Sequence, residues 1–315
     1  MRLPAAMLSG VGVADEISSG GIAMSYICAD CPRRCHAARG ADAGSGFCGM
    51  GLEPVVARAA LHHDEEPVIS GTRGAGTVFF SGCSLGCRFC QNYALSHERF
   101  GRRITVDRLK EIYRELIAQG AHNIDLVNPT HFAESIWQSL AEQPPVPVIW
   151  NSGGYDRVET LRRFEGKVQV YLPDLKYVRR DLARRYSGAA DYFDFAGPAL
   201  REMLRQTGPV RLDSDGIIQS GVIVRHLVLP GCADESMEVL DWIADNLPGA
   251  WVSLMAQYTP FGDVQGVDAL DRRITQEEYD RVTGHLFDLG LEDGYVQELS
   301  SSDEAYIPPF DLTGV

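Results

Sequence analysis

The sequence has no long hydrophobic run and comparatively little positive charge. No stretch of about eighteen apolar residues, the length of a membrane-spanning helix, occurs among its 315 residues. The opening MRLPAAMLSGVGVADEISSGG lacks a basic segment followed by a continuous apolar one, so we expect no secretory signal, no membrane partner and a cytoplasmic protein. Acidic residues outnumber lysine and arginine by 43 to 29, and the net charge of -14 repels polyanions. Nucleic acid is therefore a disfavoured partner.

Cysteine, by contrast, is abundant. The chain has eight cysteines, and seven of them fall in two tight clusters. The cytoplasm keeps thiols reduced, so such clusters indicate metal ligation rather than disulfides. The eighth, Cys232, follows a Pro-Gly pair and is predicted to be a packed thiol. The clustered residues are Cys28, Cys31, Cys35 and Cys48, and then Cys83, Cys87 and Cys90.

The pattern of the chain changes at residue 77. Residues 1–76 are rich in Gly and Cys with little sustained periodicity, which predicts a small, irregular unit organised by metal. In residues 77–299 short apolar runs alternate with helical patterns, and residues 300–315 form a predicted tail. The candidate strands are TVFFS, NIDLV, VPVIW, VQVYL, VIVRHLVL and WVSLM.

Amphipathic stretches between these runs predict helices. The clearest covers residues 106–119, between Thr105 as N-cap and Gly120 as stop. A late helix begins at Thr275 with Glu278 three residues on, the spacing of a capping box. Alternating strands and helices predict an α/β fold with a parallel sheet, either doubly wound or curled into a barrel. In both arrangements the functional residues gather at the carboxyl ends of the strands.

The sharpest functional signal is the loop CSLGCRFC, which starts at Cys83 and follows the predicted strand TVFFS. Three thiolates this close together can ligate three irons of a cubane cluster and leave the fourth iron open for a substrate to chelate. The alternatives are a zinc site or three buried thiols. Structural zinc requires a fourth protein ligand, and no obvious one flanks this loop.

The C-x3-C-x2-C spacing, with an aromatic residue before the last cysteine, resembles the motif of the radical S-adenosylmethionine (SAM) superfamily. The run EEPVISGTRGAGTVFFSGCSLGCRFCQNY, with VNPTHF, WNSGGYD, YLPDLKY, VRHLVLPG, LMAQYTP and YIPPFDLTGV, resembles the uncharacterised paralogues of pyruvate formate-lyase activating enzyme. The resemblance implies a partial (β/α)6 radical SAM barrel with a small N-terminal cysteine-rich metal-binding segment. It also implies SAM and a [4Fe-4S] cluster on Cys83, Cys87 and Cys90.

The same resemblance assigns residues to SAM. Phe89 would contact the adenine. Asn128 and Thr130 stand where the family has Gly-Gly-Glu for the methionine amino group, and their oxygens can accept from an ammonium without the charge of Glu. Asn151 stands where the activases carry an Asp, so a cation site like theirs would lack that carboxylate. Arg225, on the fifth predicted strand, corresponds to an Arg that contacts SAM.

Asp174 and Lys176 follow the fourth predicted strand and match the Asp-x-Lys motif of glycyl-radical-enzyme activases. Lys176 would neutralise the SAM carboxylate. Asp174, two residues away on the same strand face, would approach the substrate or a bound cation. The plain alternative is a surface ion pair at a strand end. These two side chains are the predicted catalytic residues.

The N-terminal cysteines form a set of four thiolates. Four sulfurs complete either tetrahedral zinc or an auxiliary [4Fe-4S] cluster, and the spacing does not choose between them. A second metal centre is therefore predicted at Cys28, Cys31, Cys35 and Cys48. The HHDEE run at 62–66 is interpreted as a polar linker, because adjacent side chains of an extended chain point to opposite sides.

Two classes of function compete, and the favoured one has two candidate substrates. The favoured one is an enzyme that cleaves SAM reductively to a 5′-deoxyadenosyl radical and abstracts hydrogen, from a glycine of a partner glycyl radical enzyme or from a small molecule. The resemblance implies an electron donor such as flavodoxin or ferredoxin. The rival is a non-catalytic iron-sulfur or zinc binding protein. The Asp-x-Lys motif and the Arg at strand ends favour a small-molecule site, which a pure carrier would not need.

Overall fold

The computed structural model describes residues 26–40, 44–299 and 308–315, so parts of the predicted N-terminal segment and tail lie outside the described residues. The strands are β1 (Tyr26–Ile27), β2 (Ala38–Arg39), β3 (Val55–His62), β4 (Ala75–Phe80), β5 (Arg102–Arg103), β6 (Ile124–Val127), β7 (Val148–Ser152), β8 (Val170–Pro173), β9 (Arg211–Leu212), β10 (Ile218–Leu227), β11 (Trp251–Met255) and β12 (Gly294–Val296). The helices are α1 (Pro67–Ser70), α2 (Tyr93–Ser96), α3 (Val106–Ala118), α4 (Ala133–Ser139), α5 (Val158–Arg162), α6 (Arg180–Ser187), α7 (Tyr192–Thr207), α8 (Ala233–Asn246) and α9 (Gln276–Asp288).

One large sheet supports the candidate site. Its strands lie in the order β12-β11-β10-β8-β7-β6-β4-β3-β5, with β9 beside β10. The strands from β4 to β12 along this order are parallel, because helical crossovers return the chain to the same end of the sheet each time. The strands β3 and β5 pair antiparallel at one edge. The predicted α/β fold with a parallel sheet is confirmed, and within the described residues the sheet stays open.

The predicted elements appear where the sequence placed them. The six candidate strands are β4, β6, β7, β8, β10 and β11. Helix α3 begins after Thr105, whose hydroxyl accepts a hydrogen bond from the Arg108 amide at 3.1 Å. Helix α9 begins with the predicted capping box of Thr275 and Glu278. Local capping chemistry therefore sets the start of both helices.

The sheet begins earlier than the sequence pattern indicated. Strand β3 lies before residue 77 but pairs with β4 along most of its length. Its VVARAALH sequence lacks clear alternation, because the pairing with β4 is irregular between Val56 and Arg58 and interrupts the two-residue repeat. The predicted boundary after residue 76 thus falls inside β4, which belongs to the same sheet as β3. A separate N-terminal unit would have to end before Val55.

Residues 308–315 cover the outer edge of β3. Two backbone hydrogen bonds of 2.9 and 2.8 Å join Ala57 and Ala59 of β3 to Leu312 and Thr313. Gly314 lies so close that a Cβ there would be 2.0 Å from the Ala59 carbonyl oxygen. This segment therefore behaves as a short extra strand of the sheet.

Each face of the sheet has its own core. Trp150 and Tyr171 lie on the face that packs against the large helices, whereas Ile149 and Leu172 pack with Ile69 of α1 on the opposite, inner face. Along three parallel strands, an apolar inner residue is followed two positions later by a polar one. These pairs are Ile149 and Asn151, Leu172 and Asp174, and Ile223 and Arg225. The polar inner residues therefore gather toward the carboxyl ends of the strands, where the site was predicted.

Candidate active site

The CSLGCRFC loop leaves the carboxyl end of β4. Cys87 is buried, Cys83 and Cys90 are half-buried, and all three are free thiols. The Ser187 hydroxyl donates to the Cys87 Sγ at 3.0 Å, and the Leu85 amide donates to the Cys83 Sγ at 3.3 Å. Burial, opposed by the charge of Lys176 and assisted by the neighbouring Cys83 and Cys90 sulfurs, raises the pKa of Cys87 to about 12. The three sulfurs thus share one pocket.

This donor set fits an iron-sulfur cluster. Three unpaired thiols are the soft ligands that cluster iron takes, and hydrogen bonds to the sulfurs help to set a cluster's reduction potential. Across the described ranges, no three Cys, His, Asp or Glu side chains are arranged to hold a single metal ion. The three thiols therefore fit a cluster by their type and number, because three thiolates can ligate three of its four irons.

Asp174 and Lys176 lie at the carboxyl end of β8, beside this loop. The Lys176 Nζ donates to the Asp174 Oδ2 at 2.5 Å, and the two side chains are only 17% and 29% exposed. Burial alone would lower the pKa of Lys176, but the charges of Asp174 and the Cys87 sulfur outweigh it and raise that pKa above its usual value. The ammonium therefore stays charged next to a carboxylate and a loop sulfur.

Gly154 sets how closely the turn after β7 approaches Asp174. Its φ is +74°, and a Cβ there would lie 2.1 Å from the Asp174 carbonyl oxygen. We expect Gly154→Ala to displace this backbone and to lower the free energy of unfolding by more than the roughly 1–2 kcal/mol of left-handed strain alone. Gly188→Ala is the control, because Gly188 has a φ of +58° with no atom within 4 Å. Equal losses in urea unfolding would contradict the close approach.

Of the residues assigned to SAM, Phe89 lies in the cysteine loop and Asn128 lies beside it. The Phe89 ring is buried, with its centroid 6.2 Å from that of Tyr258. Asn128, directly after β6, has a φ of +60° and donates from its side-chain amide to the Gly82 carbonyl at 3.2 Å. Asn128 is thereby tied to the start of the loop, in a backbone conformation that Asn tolerates better than most residues.

Two further assigned residues point toward buried acids. The Thr130 hydroxyl donates to the Asp156 Oδ1 at 2.7 Å, and the Asn151 side-chain amide donates to the Asp125 Oδ2 at 3.4 Å. Burial raises the pKa of both carboxyls. In this structure the Thr130 hydroxyl proton is thus engaged within the fold.

Arg225 lies on the inner face of β10, level with Asp174 of β8. Its guanidinium donates to Glu66 through two nitrogens, at 2.8 and 2.6 Å, and also bonds Glu65. Burial opposes the charge of Arg225, but the two glutamates outweigh it and raise the pKa of the guanidinium. The charge assigned to SAM is therefore already paired within the chain.

The polar-linker interpretation of the HHDEE run was wrong for Glu65 and Glu66, which belong to the site. Arg225 in the middle of the apolar VIVRHLVL strand was the signal, because a buried Arg needs an acidic partner. Asp125 was missed in the same way within NIDLV. It is fully buried, burial and then Glu65 raise the pKa of its carboxyl well above the usual value, and its Oδ1 has no hydrogen-bond partner among the described residues.

The four N-terminal thiols also lie together. Cys28, Cys31 and Cys48 are buried, and Cys35 is exposed. Burial, assisted by the other three thiols, raises the pKa of Cys31 to about 12. The Arg39 guanidinium donates to the Cys48 Sγ at 3.0 Å. Four thiols suit zinc and a [4Fe-4S] cluster alike, and the second metal centre stays a prediction.

We expect this second set to hold metal without the first. The variant with Cys83, Cys87 and Cys90 all replaced by alanine keeps the N-terminal thiols and should bind about one zinc or about four irons per chain. Elemental analysis after anaerobic preparation measures the metal. Further replacement of Cys31 and Cys48 is the control that should hold neither. Finding neither metal in the first variant would refute the site.

One family match supports an iron-sulfur cluster at the loop, and several proteins are similar to the chain over most of its length. Residues 70–172 match the family described as a 4Fe-4S single cluster domain, a span that includes the whole cysteine loop. The chain is 31% identical over 264 residues to the uncharacterized protein MJ0674 of Methanocaldococcus jannaschii, covering 81% of this chain and 72% of that protein. SuiB of Streptococcus suis superposes with a TM-score of 0.50 at 13% identity, over 71% of this chain and 48% of SuiB. Methylornithine synthase (PylB) gives 0.48 at 17% identity, over 74% and 68%.

Fold and loop together define an α/β protein with a 4Fe-4S cluster domain at the carboxyl edge of an open, largely parallel sheet. The chain belongs to the family of MJ0674. The match of residues 70–172 to a 4Fe-4S cluster domain agrees with the superfamily predicted from the cysteine motif, and the predicted α/β fold is confirmed. Among the described residues no helix is long and apolar enough to cross a membrane.

Proposed function

We propose that this protein cleaves SAM reductively at a [4Fe-4S] cluster held by Cys83, Cys87 and Cys90. The observation that carries this proposal is the meeting of three loop thiols with the charged Lys176 at one edge of a parallel sheet. When bound, the cluster and SAM supply a 5′-deoxyadenosyl radical that takes a hydrogen atom from the substrate. The chain's own residues bind and orient SAM, exclude water and present that substrate.

The residues at this edge suit the groups of SAM. Lys176 offers a cation to the carboxylate, and Asp174 holds Lys176 in place while facing the substrate side. Asn128 and Thr130 offer oxygens near the methionine amino group, and Phe89 offers an aromatic face to the adenine. Asn151 and Arg225 complete the proposed set, since both lie on the inner face near the strand ends.

We propose a glycine of a partner glycyl radical enzyme as the first candidate substrate. The Asp-x-Lys match to the activases supports it, and so does the sheet, which stays open among the described residues and could admit a peptide loop at its side. A small molecule is the second candidate. Polar side chains of the inner face, among them Arg225, Glu65 and Asp125, favour it because they could recognise a polar metabolite.

The reduction needs an electron from outside the chain, for which we propose a flavodoxin or ferredoxin. The second centre at the N-terminal thiols would hold zinc or a further cluster.

All eight cysteines are free thiols, a state typical of a reducing compartment, and we propose that the protein works in the cytoplasm.

The test is anaerobic incubation of reconstituted protein with SAM and dithionite, with 5′-deoxyadenosine as the product to be measured. An enzyme of this class releases it, and a non-catalytic metal protein does not. Reduced protein and SAM are then mixed with candidate glycyl radical enzymes. A glycyl doublet in electron paramagnetic resonance (EPR) supports the activase. Cleavage without a doublet, with deuterium label entering a metabolite instead, assigns the substrate to the small-molecule class.

A further inference from the structure

Arg33 belongs to the N-terminal cysteine segment, but its hydrogen bonds go to the catalytic loop and its neighbour. The guanidinium donates to the carbonyl of Ser84 and to the carbonyl of Leu85, each at 2.9 Å. It also donates to the carbonyls of Ser187 at 3.2 Å and Gly188 at 2.9 Å. One planar, five-donor group thus joins two chain segments that lie far apart in sequence.

Both segments bear directly on Cys87. Ser84 and Leu85 lie in the loop between Cys83 and Cys87, and the Ser187 hydroxyl donates to the Cys87 Sγ at 3.0 Å. A hydrogen bond to a ligating sulfur is one of the contacts that tune a cluster. Arg33 therefore fixes both the backbone that carries the sulfur and the hydroxyl that touches it.

Arg33 is in turn held by the N-terminal segment. Its guanidinium carbon lies 3.9 Å from the Phe47 ring centroid and 5.5 Å from that of Tyr155. The Phe47 amide donates to the Cys35 Sγ at 3.2 Å, and Phe47 directly precedes Cys48. The ring that carries the arginine is thus anchored between two of the N-terminal thiols.

We infer that Arg33 is a positioning residue for the catalytic cluster and makes the surroundings of Cys87 depend on the N-terminal cysteine segment. The inference rests on the proposed cluster at the loop, and it adds that Arg33 couples the two cysteine sets structurally. Lysine cannot fully replace this arginine, because its single ammonium lacks the rigid, forked set of donors that reaches carbonyls on both segments.

The experiment compares Arg33→Ala, Arg33→Lys and the matched control Arg34→Ala in reconstituted protein. Arg34 is the adjacent, exposed arginine, with its guanidinium 5.4 Å from the Phe195 ring centroid, so its loss removes the same charge. In Arg33→Ala we expect faster amide hydrogen exchange in residues 83–90 and an altered EPR signal of the reduced, SAM-responsive cluster. Its midpoint potential should fall because a nearby positive charge is lost. SAM cleavage should drop about 10–100-fold, as for other outer contacts of metal ligands.

Arg33→Lys should recover part of the midpoint potential while exchange in the loop stays fast, and Arg34→Ala should match the wild type. Exchange, EPR signal and potential in Arg33→Ala equal to wild type would overturn the inference. If Arg33→Ala loses its iron, Ser187→Ala tests the hydrogen bond to the Cys87 sulfur while Arg33 is still present. An unchanged EPR signal in Ser187→Ala counts against the inference. Absent SAM cleavage in the wild type would reject the proposed function, whereas exchange and potential would still decide the role of Arg33.

Dependence on the N-terminal set is tested with Cys31→Ser, which leaves Arg33 and the loop intact. We expect the same direction of change in loop exchange and in the EPR signal as in Arg33→Ala. If both readouts stay at wild-type values, the two cysteine sets are independent and this part of the inference is lost.

Discussion

Single replacement of Cys83, Cys87 or Cys90 by alanine is expected to reduce the release of 5′-deoxyadenosine to the level of a control without protein. Two remaining thiolates leave a cluster iron without its protein ligand, and SAM needs an intact cluster with one open iron. The fold should survive, because the loop lies outside the strands and is held by hydrogen bonds from elsewhere in the chain. Circular dichroism and the thermal midpoint measure the fold, and chromatography measures the product.

Cys232→Ala is the matched control for these variants. Cys232 is also a buried free thiol, it lies outside the CSLGCRFC loop, and its sulfur contacts the Tyr186 hydroxyl at 3.9 Å. We expect normal cleavage with a small loss of stability. Normal cleavage in any one of the three loop variants would contradict the assignment of the cluster ligands.

Lys176→Met is expected to lower kcat/KM for SAM cleavage by about 100-fold. Truncating one partner of a desolvated charge pair costs roughly 2–5 kcal/mol, and 1.4 kcal/mol is a factor of ten. The pair with Asp174 is partly exposed, so the lower part of that range applies. Methionine keeps the length of the side chain, so the loss reports the charge. Steady-state kinetics of 5′-deoxyadenosine release measures it.

The control is Lys110→Met on α3, where an exposed lysine pairs with Asp107 at 3.0 Å on the helix surface. Such a pair is worth little, so kinetics should stay within about twofold of wild type. If Lys176→Met behaves like this control in both kcat and KM, the Asp174–Lys176 pair is a surface ion pair with no part in SAM binding. A rise in KM alone would confine Lys176 to ground-state binding.

The parts of the fold that sequence reasoning found are those fixed by local chemistry. Strands such as β6 and β7 are short apolar runs between turn signals, and Thr105 and Thr275 cap helices through neighbours three residues away. The cysteine loop was found because its ligands are contiguous and follow a strand. Strand β3 was missed because the irregularity between Val56 and Arg58 interrupts its period-2 pattern.

The missed parts of the site depend on contacts between distant residues. Arg225 was assigned to SAM, but the sequence does not show that Glu65 and Glu66, about 160 positions earlier, also reach it. Arg33 carried no signal in the sequence, because its partners lie 51 to 155 positions away. The sequence shows which charged residues need partners, but the order of the strands in the sheet determines which distant residues become those partners.

The short segment at residues 308–315 also bears on how the protein behaves in concentrated solution. A strand edge with free N–H and C=O groups is a template for pairing with another chain. Here the backbone groups of Ala57 and Ala59 on β3 are taken by Leu312 and Thr313. Removing that segment would open the edge to strand addition from a neighbouring molecule. By covering this edge, residues 308–315 are expected to limit self-association of the protein.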